Sequence, residues 1–111
     1  MALEKNRELI DGLNNCVAEC NHCATACLNE ENVKSLAICI KLNIDCAQVC
    51  QLTTSLIARS SEHANHLLEE CAEICEKCAV ECERHSDMEH CRQCAEACRA
   101  CAEACSLLTE M

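Results

Sequence analysis

The chain has 111 residues, sixteen of them cysteine, with one glycine, no proline, no phenylalanine, tyrosine or tryptophan, and a formal charge of -10. That length fits one domain spanning residues 1 to 111, the near absence of helix breakers points to helix throughout, and the acidity counts against nucleic acid and acidic membranes as partners. Without aromatic rings the interior has to be built from Leu, Ile, Val, Ala and Cys, so an empty core should be only marginally stable and should gain stability from a ligand that fills it.

The opening stretch Met1-Ala2-Leu3-Glu4-Lys5-Asn6-Arg7-Glu8 is charged and helical in character, without the apolar run or cleavage site of a secretory signal. No run is expected to reach transmembrane length. The expected compartment is a reducing cytosol, where an even number of cysteines does not imply disulfides. Polar breaks at Asn29-Glu30-Glu31-Asn32, Arg59-Ser60-Ser61 and Arg84-His85-Ser86-Asp87 divide the chain. They predict helices over 3 to 28, 32 to 58, 61 to 84 and 87 to 109, with Ser60 or Ser61 capping the third. Ser86 and Glu89 read as a capping box that starts the fourth near Asp87. Turns this short force antiparallel neighbours, so the expected fold is an all-α, up-down-up-down four-helix bundle.

The first helix carries Cys16, Cys20, Cys23 and Cys27; Gly12 within it costs about 1 kcal/mol against alanine. The second carries Cys39, Cys46 and Cys50, with Asn43 on the missing rung. An asparagine there is a weak oxygen ligand or, preferably, a polar register pin. This helix is apolar all round, with Ile38, Ile40, Leu42, Ile44 and Val49, so a second apolar face is expected to meet another subunit in a homo-oligomer. The third repeats the four-thiol pattern of the first with Cys71, Cys75, Cys78 and Cys82, while Glu69, Glu70, Glu73 and Glu76 read as solvated surface. The fourth carries Cys91, Cys94, Cys98, Cys101 and Cys105. Steps alternating between three and four place the thiols of each helix on one stripe, the seam that leucine fills in an ordinary bundle.

The seams predict two different ends. Leu9, Leu13, Thr53, Ile57, Ala64, Leu68 and Leu108, with Ile10, Leu56 and Leu67 beside them, form an apolar plug. At the other end the seams run out at Cys27, Cys82 and Cys91 near His85, Met88 and His90, which read as the mouth through which an ion is passed inward. His22, His63 and His66 fall off the thiol seams and read as surface residues.

Alanine or valine would fill a core better than sixteen oxidisable thiols, so the stripe points to a soft metal: copper(I), zinc or an iron-sulfur cluster. Zinc and iron-sulfur sites usually draw four cysteines from knuckles or loops, which continuous helices lack. Four thiolates around each zinc would leave about -8 inside an already acidic protein, whereas copper(I) replaces a proton and keeps the core near neutral. Copper(I) also accepts two or three sulfurs, and pairs at i and i+4 can hold one ion between them. Each four-cysteine segment spans roughly 17 Å, so the sites form a column with capacity.

These ladders, with the stretch from His85 through His90-Cys91-Arg92-Gln93-Cys94 to Cys98, resemble the bacterial cysteine-rich copper storage proteins, the Csp family, in their cytosolic form. The resemblance covers essentially the whole chain. It implies a four-helix bundle, often a tetramer, that stores many copper(I) ions on inward-facing cysteines and is not an enzyme. A copper transfer or regulatory module, or a zinc or iron-sulfur protein, is the alternative reading.

Overall fold

The structure is a computed structural model that describes residues 6–109, with side chains to residue 107. The expectations for residues 3 to 5 and for the side chain of Leu108 lie outside what it describes. Four helices follow one another: α1 (Arg7–Leu28), α2 (Ala37–Ala58), α3 (Ala64–Glu83) and α4 (Glu89–Thr109), with a short 3-10 turn at Val33–Leu36 ahead of α2. Each packs on its neighbour in sequence and α1 closes against α4, giving a four-helix bundle of 47 × 20 × 19 Å.

The boundaries differ from the sequence reading where the backbone adopts tighter turns. The second helix begins as the 3-10 turn, held by Ser35, whose N–H and hydroxyl both donate to the Asn32 carbonyl at 3.0 and 2.8 Å. Tightening this turn brings Leu36 wholly into the core. Ser61 precedes α3 rather than opening it: its hydroxyl accepts from the His63 N–H at 3.1 Å and its carbonyl from the Ala64 N–H. The fourth helix starts at Glu89, with the Met88 carbonyl accepting from the Arg92 N–H. Ser86 enters that turn through its carbonyl, which accepts from the Arg92 guanidinium, while Glu89 pairs forward with Gln93; the expected capping box does not form.

The end of α2 is a Schellman motif, in which the Ser61 N–H donates to the Leu56 carbonyl at 2.9 Å and the Ser60 N–H to the Ile57 carbonyl at 3.0 Å. Ser60 therefore holds a positive φ of 55°, the left-handed conformation usually given to glycine. Gly12, by contrast, permits no close approach: a Cβ added there meets nothing within 4 Å.

All sixteen cysteines point inward, none more than 1% exposed. Leu9, Ile10, Leu13, Ile57 and Leu68 are buried with them, and Ala64, Leu56 and Leu67 are half-buried. Buried Thr53 donates from its hydroxyl to the Val49 carbonyl at 2.7 Å and lies 3.5 Å from the Leu67 carbonyl, binding α2 to α3 at this apolar end.

The stretch Val33–Ala58 is, by length and composition, long and apolar enough to cross a membrane, contrary to the sequence expectation. Its seam of Cys39, Asn43, Cys46 and Cys50 is nevertheless buried in the bundle. Ile38, Ile44 and Leu52 remain exposed on its outer side.

Candidate metal site

The 3-4 spacing gives each helix one thiol per turn on its inner face, and antiparallel packing interleaves the four stripes into a single column. Along a helix, Sγ atoms one turn apart are 3.8 Å from each other at Cys16 and Cys20, 3.9 Å at Cys23 and Cys27 and at Cys71 and Cys75, and 4.0 Å at Cys46 and Cys50 and at Cys94 and Cys98. Across helices the gaps are as short. Cys46 lies 3.5 Å from Cys75, Cys50 3.5 Å from Cys71, Cys39 3.6 Å from Cys82, and Cys20 3.7 Å from Cys98.

These contacts assemble overlapping quartets. Cys50, Cys71, Cys75 and Cys101 form one, and Cys16, Cys46, Cys50 and Cys75 share two sulfurs with it. The next, Cys16, Cys20, Cys46 and Cys98, shares Cys16 and Cys46, and Cys20, Cys78, Cys94 and Cys98 shares Cys20 and Cys98 in turn. Shared sulfurs let one ion sit beside the next, because a thiolate has lone pairs enough to bridge metals. The arrangement is a continuous run of soft donors rather than a set of isolated centres.

Asn43 interrupts the run. Its Oδ1 accepts from Cys78 at 3.1 Å, Cys94 at 3.3 Å and Cys82 at 3.6 Å, and its Nδ2 donates to Cys39 Sγ at 3.8 Å. One buried amide thereby takes hydrogen bonds from both α3 and α4, the position a register pin requires.

Beyond it, at the end expected to be the mouth, lies His90. His90 Nδ1 is 3.5 Å from Cys91 Sγ, 3.6 Å from Cys23 Sγ and 3.9 Å from Cys27 Sγ. Its Nε2 bonds Glu30 Oε2 at 3.0 Å, so Nε2 carries the proton and the Nδ1 lone pair faces the sulfurs when the ring is neutral. Burial lowers the His90 pKa, but hydrogen bonds to Cys23 and Glu30 outweigh it and the net shift is upward. Hydrogen bonding with Cys39 and Cys82 draws Cys23 down to about 6, against the opposing effect of burial. Burial pushes Cys27 up to about 12 and raises Cys91 as well.

The other two predicted mouth residues are placed differently. His85 turns to Glu81, Nε2 to Oε2 at 3.1 Å, rather than to a thiol, and Met88 is half-buried against the core. His22, His63 and His66 are exposed. Sequence reasoning missed Glu30 and Glu81 as partners of the histidines. Glu81 could have been found four residues before His85, on the same helix face. Glu30 stands sixty residues from His90 and only the fold brings them together.

The sequence model of the copper storage protein family, Csp, matches residues 2–110. The Cu(I)-bound copper storage protein BsCsp3, from Bacillus subtilis, is 38% identical with a TM-score of 0.90, over 94% of this chain and 97% of that one. A cytosolic copper storage protein from Streptomyces lividans, described with five coppers, is 39% identical with a TM-score of 0.93, over 99% of this chain and 96% of that one. The uncharacterized cysteine-rich protein YhjQ of Bacillus subtilis is 41% identical over 66 residues, which span 60% of this chain and 61% of YhjQ.

Proposed function

The chain belongs to the copper storage protein family, and we propose that it holds copper(I) in bulk on the sixteen cysteines of its column, as a store rather than an enzyme. The observation that carries this reading is the sharing of sulfurs between successive quartets. A sensor or a catalyst needs one defined centre; sulfurs used twice in succession make capacity. Each copper(I) replaces a thiol proton, so the interior stays near neutral as it fills, and soft thiolate ligation keeps the ion from redox cycling.

In this reading His90, with Cys23, Cys27 and Cys91, receives the arriving ion. His85 and Met88 flank that approach as transient contacts and are not resident ligands. Cytosolic storage agrees with the reduced state that sixteen free thiols require. The exposed Ile38, Ile44 and Leu52 of α2 provide a face for a homo-oligomer, a tetramer in our reading, in keeping with an interface core richer in apolar side chains than the remaining surface.

Anaerobic titration of the reduced protein with copper(I) against a competing chelator tests the function. Tight uptake of more than about ten ions per chain is expected from a column of shared soft donors. Saturation at about two to four would instead identify a transfer or regulatory module.

A further inference from the structure

Rung by rung, the two sides of the column end differently. Between α2 and α3 the facing side chains are Cys50 and Cys71 at 3.5 Å, Cys46 and Cys75 at 3.5 Å, Asn43 and Cys78 at 3.1 Å, and Cys39 and Cys82 at 3.6 Å. Each step of three or four residues back along α2 is matched by an equal step forward along α3, as antiparallel seams require. The next step, of three, puts Leu36 and His85 on one rung. Leu36 is wholly buried, and His85 turns to Glu81, Nε2 to Oε2 at 3.1 Å. This side of the column therefore ends in hydrocarbon.

Between α1 and α4 the rungs are Cys16 and Cys98, Cys20 and Cys94, and Cys23 and Cys91, each at 3.8 Å, and Cys27 continues the run 3.9 Å from Cys91. His90 Nδ1 stands 3.9 Å from Cys27 and its side chain is 13% exposed, so donor atoms follow one another to the surface. The two hairpins repeat one pattern. Cys39, Cys46 and Cys50 recur at a constant offset as Cys94, Cys101 and Cys105, and by that offset Leu36 stands where α4 has Cys91. Leucine replaces the thiol on one side only.

We propose that Leu36 is a stopper that closes the α2–α3 side of the column and confines the passage of copper(I) to the α1–α4 side, past His90. The inference rests on the copper storage reading. An ion crossing at Leu36 exchanges every donor atom for alkyl carbon, and an uncompensated charge in such surroundings is strongly disfavoured. On the other side each donor hands the ion to the next. The stopper is anchored by the 3-10 turn before it: Asn32 Nδ2 donates to Ser35 Oγ at 3.1 Å, and the Ser35 hydroxyl and N–H donate to the Asn32 carbonyl at 2.8 and 3.0 Å. Leu36 ligates nothing, and acts on how ions arrive and leave rather than on how many are held.

The test uses the full-length, reduced, metal-free chain and iodoacetamide, with each cysteine followed by peptide mass spectrometry. Cys27 and Cys91 should be modified ahead of Cys39 and Cys82. Leu36→Ala should speed modification of Cys39 and Cys82 at least about tenfold, since their cover is removed, and that of Cys50, deeper in the column, less than about twofold. Leu36→Val, a smaller truncation, should act in the same direction and keeps the question answerable where Leu36→Ala does not fold. Leu68→Ala, the same truncation at the apolar end, should leave Cys39 and Cys82 within about twofold, as expected of a distant site. Copper(I) uptake from a chelator should be at least about threefold faster in Leu36→Ala, with capacity unchanged, as expected when a gate is removed. Equally early modification of Cys39, Cys82, Cys27 and Cys91 in the unmodified chain would overturn the proposal. So would an acceleration absent from both Leu36 variants or matched by Leu68→Ala. The final copper capacity in the same runs reports separately on storage.

Discussion

Asn43 Oδ1 accepts a hydrogen bond from Cys78 Sγ at 3.1 Å, and the thiols of Cys94 and Cys82 approach the same oxygen at 3.3 and 3.6 Å. An amide oxygen is a hard donor among soft ones, so it orders the empty thiols better than it binds copper(I). Loading removes the very protons that make these hydrogen bonds. Asn43 thus belongs to the empty protein, where it fixes α2 against α3 and α4.

Replacing this residue tests that division of labour. Asn43→Cys restores the missing rung between Cys39 and Cys46 and should add about one copper(I) per chain in an anaerobic titration, since it supplies a further soft ligand at a buried seam position. The empty variant should unfold at lower urea by about 1–3 kcal/mol, having lost a buried hydrogen-bonded amide. Unchanged capacity would show that Asn43 does not stand in line with the thiols.

The backbone offers two independent stabilising changes. Ser60 occupies the left-handed position of a Schellman motif at φ 55°, which costs a residue with a Cβ about 1 kcal/mol. Ser60→Gly should recover about that much. Gly12 lies inside α1 with open space around its missing Cβ, so Gly12→Ala should also gain up to about 1 kcal/mol. Denaturant midpoints of the metal-free protein should rise for both, and additively, because neither site shares a partner with the other.

What the sequence made legible follows from how each feature is encoded. The thiol ladders were readable because burial at every third or fourth residue leaves a local period, and every cysteine from Cys16 to Cys105 is buried as that period requires. The plug was legible for the same reason at Leu13, Ile57 and Leu68. Caps were not, since Ser60 adopts a glycine conformation with no glycine to announce it, and Ser86 uses its carbonyl instead of its hydroxyl. The Glu30 and His90 pair was invisible because it joins two turns through the antiparallel fold.

Alkaline pH should weaken the empty protein. Burial holds Cys27 up at about 12 from the ordinary 9.0 and raises Cys91 too, and Cys105 is raised by hydrogen bonding to Cys101 and Cys71 and by burial. As the pH passes 9.0 the unfolded chain gives up thiol protons that the folded chain retains. The unfolded state then binds fewer protons, so stability that is full below 9.0 is lost as pH climbs toward about 12. Cys23, drawn down to about 6, contributes in the opposite sense, with stability present above 9.0 and lost as pH falls through about 6, so it does not offset the alkaline loss. Urea midpoints of the metal-free chain should fall as the pH rises from 9.0 toward about 12, while copper-loaded protein, its thiol protons already replaced, should change little. A flat profile for the metal-free chain would contradict the raised thiols.

The apolar plug sets the length of the column, and that is open to extension. Leu13 lies one step before Cys16 on the α1 seam and Ile57 follows Thr53 on the α2 seam, both buried. Leu13→Cys combined with Ile57→Cys exchanges two large side chains for two thiols at the closed end. Removing that packing should destabilise the empty protein by about 2 kcal/mol or more. The added sulfurs should bind about one further copper(I), since soft donors at seam positions extend the run already formed by Cys16, Cys46 and Cys50. Loaded protein should recover the lost stability, because copper binds the folded chain in preference to the unfolded one. Thermal unfolding of the empty and loaded variant, measured beside its copper capacity, separates the two effects. A destabilised variant with no gain in capacity would mean that Leu13 and Ile57 lie off the line of the thiols, and that the column ends at Cys71 and Cys105 for reasons of geometry rather than for want of sulfur.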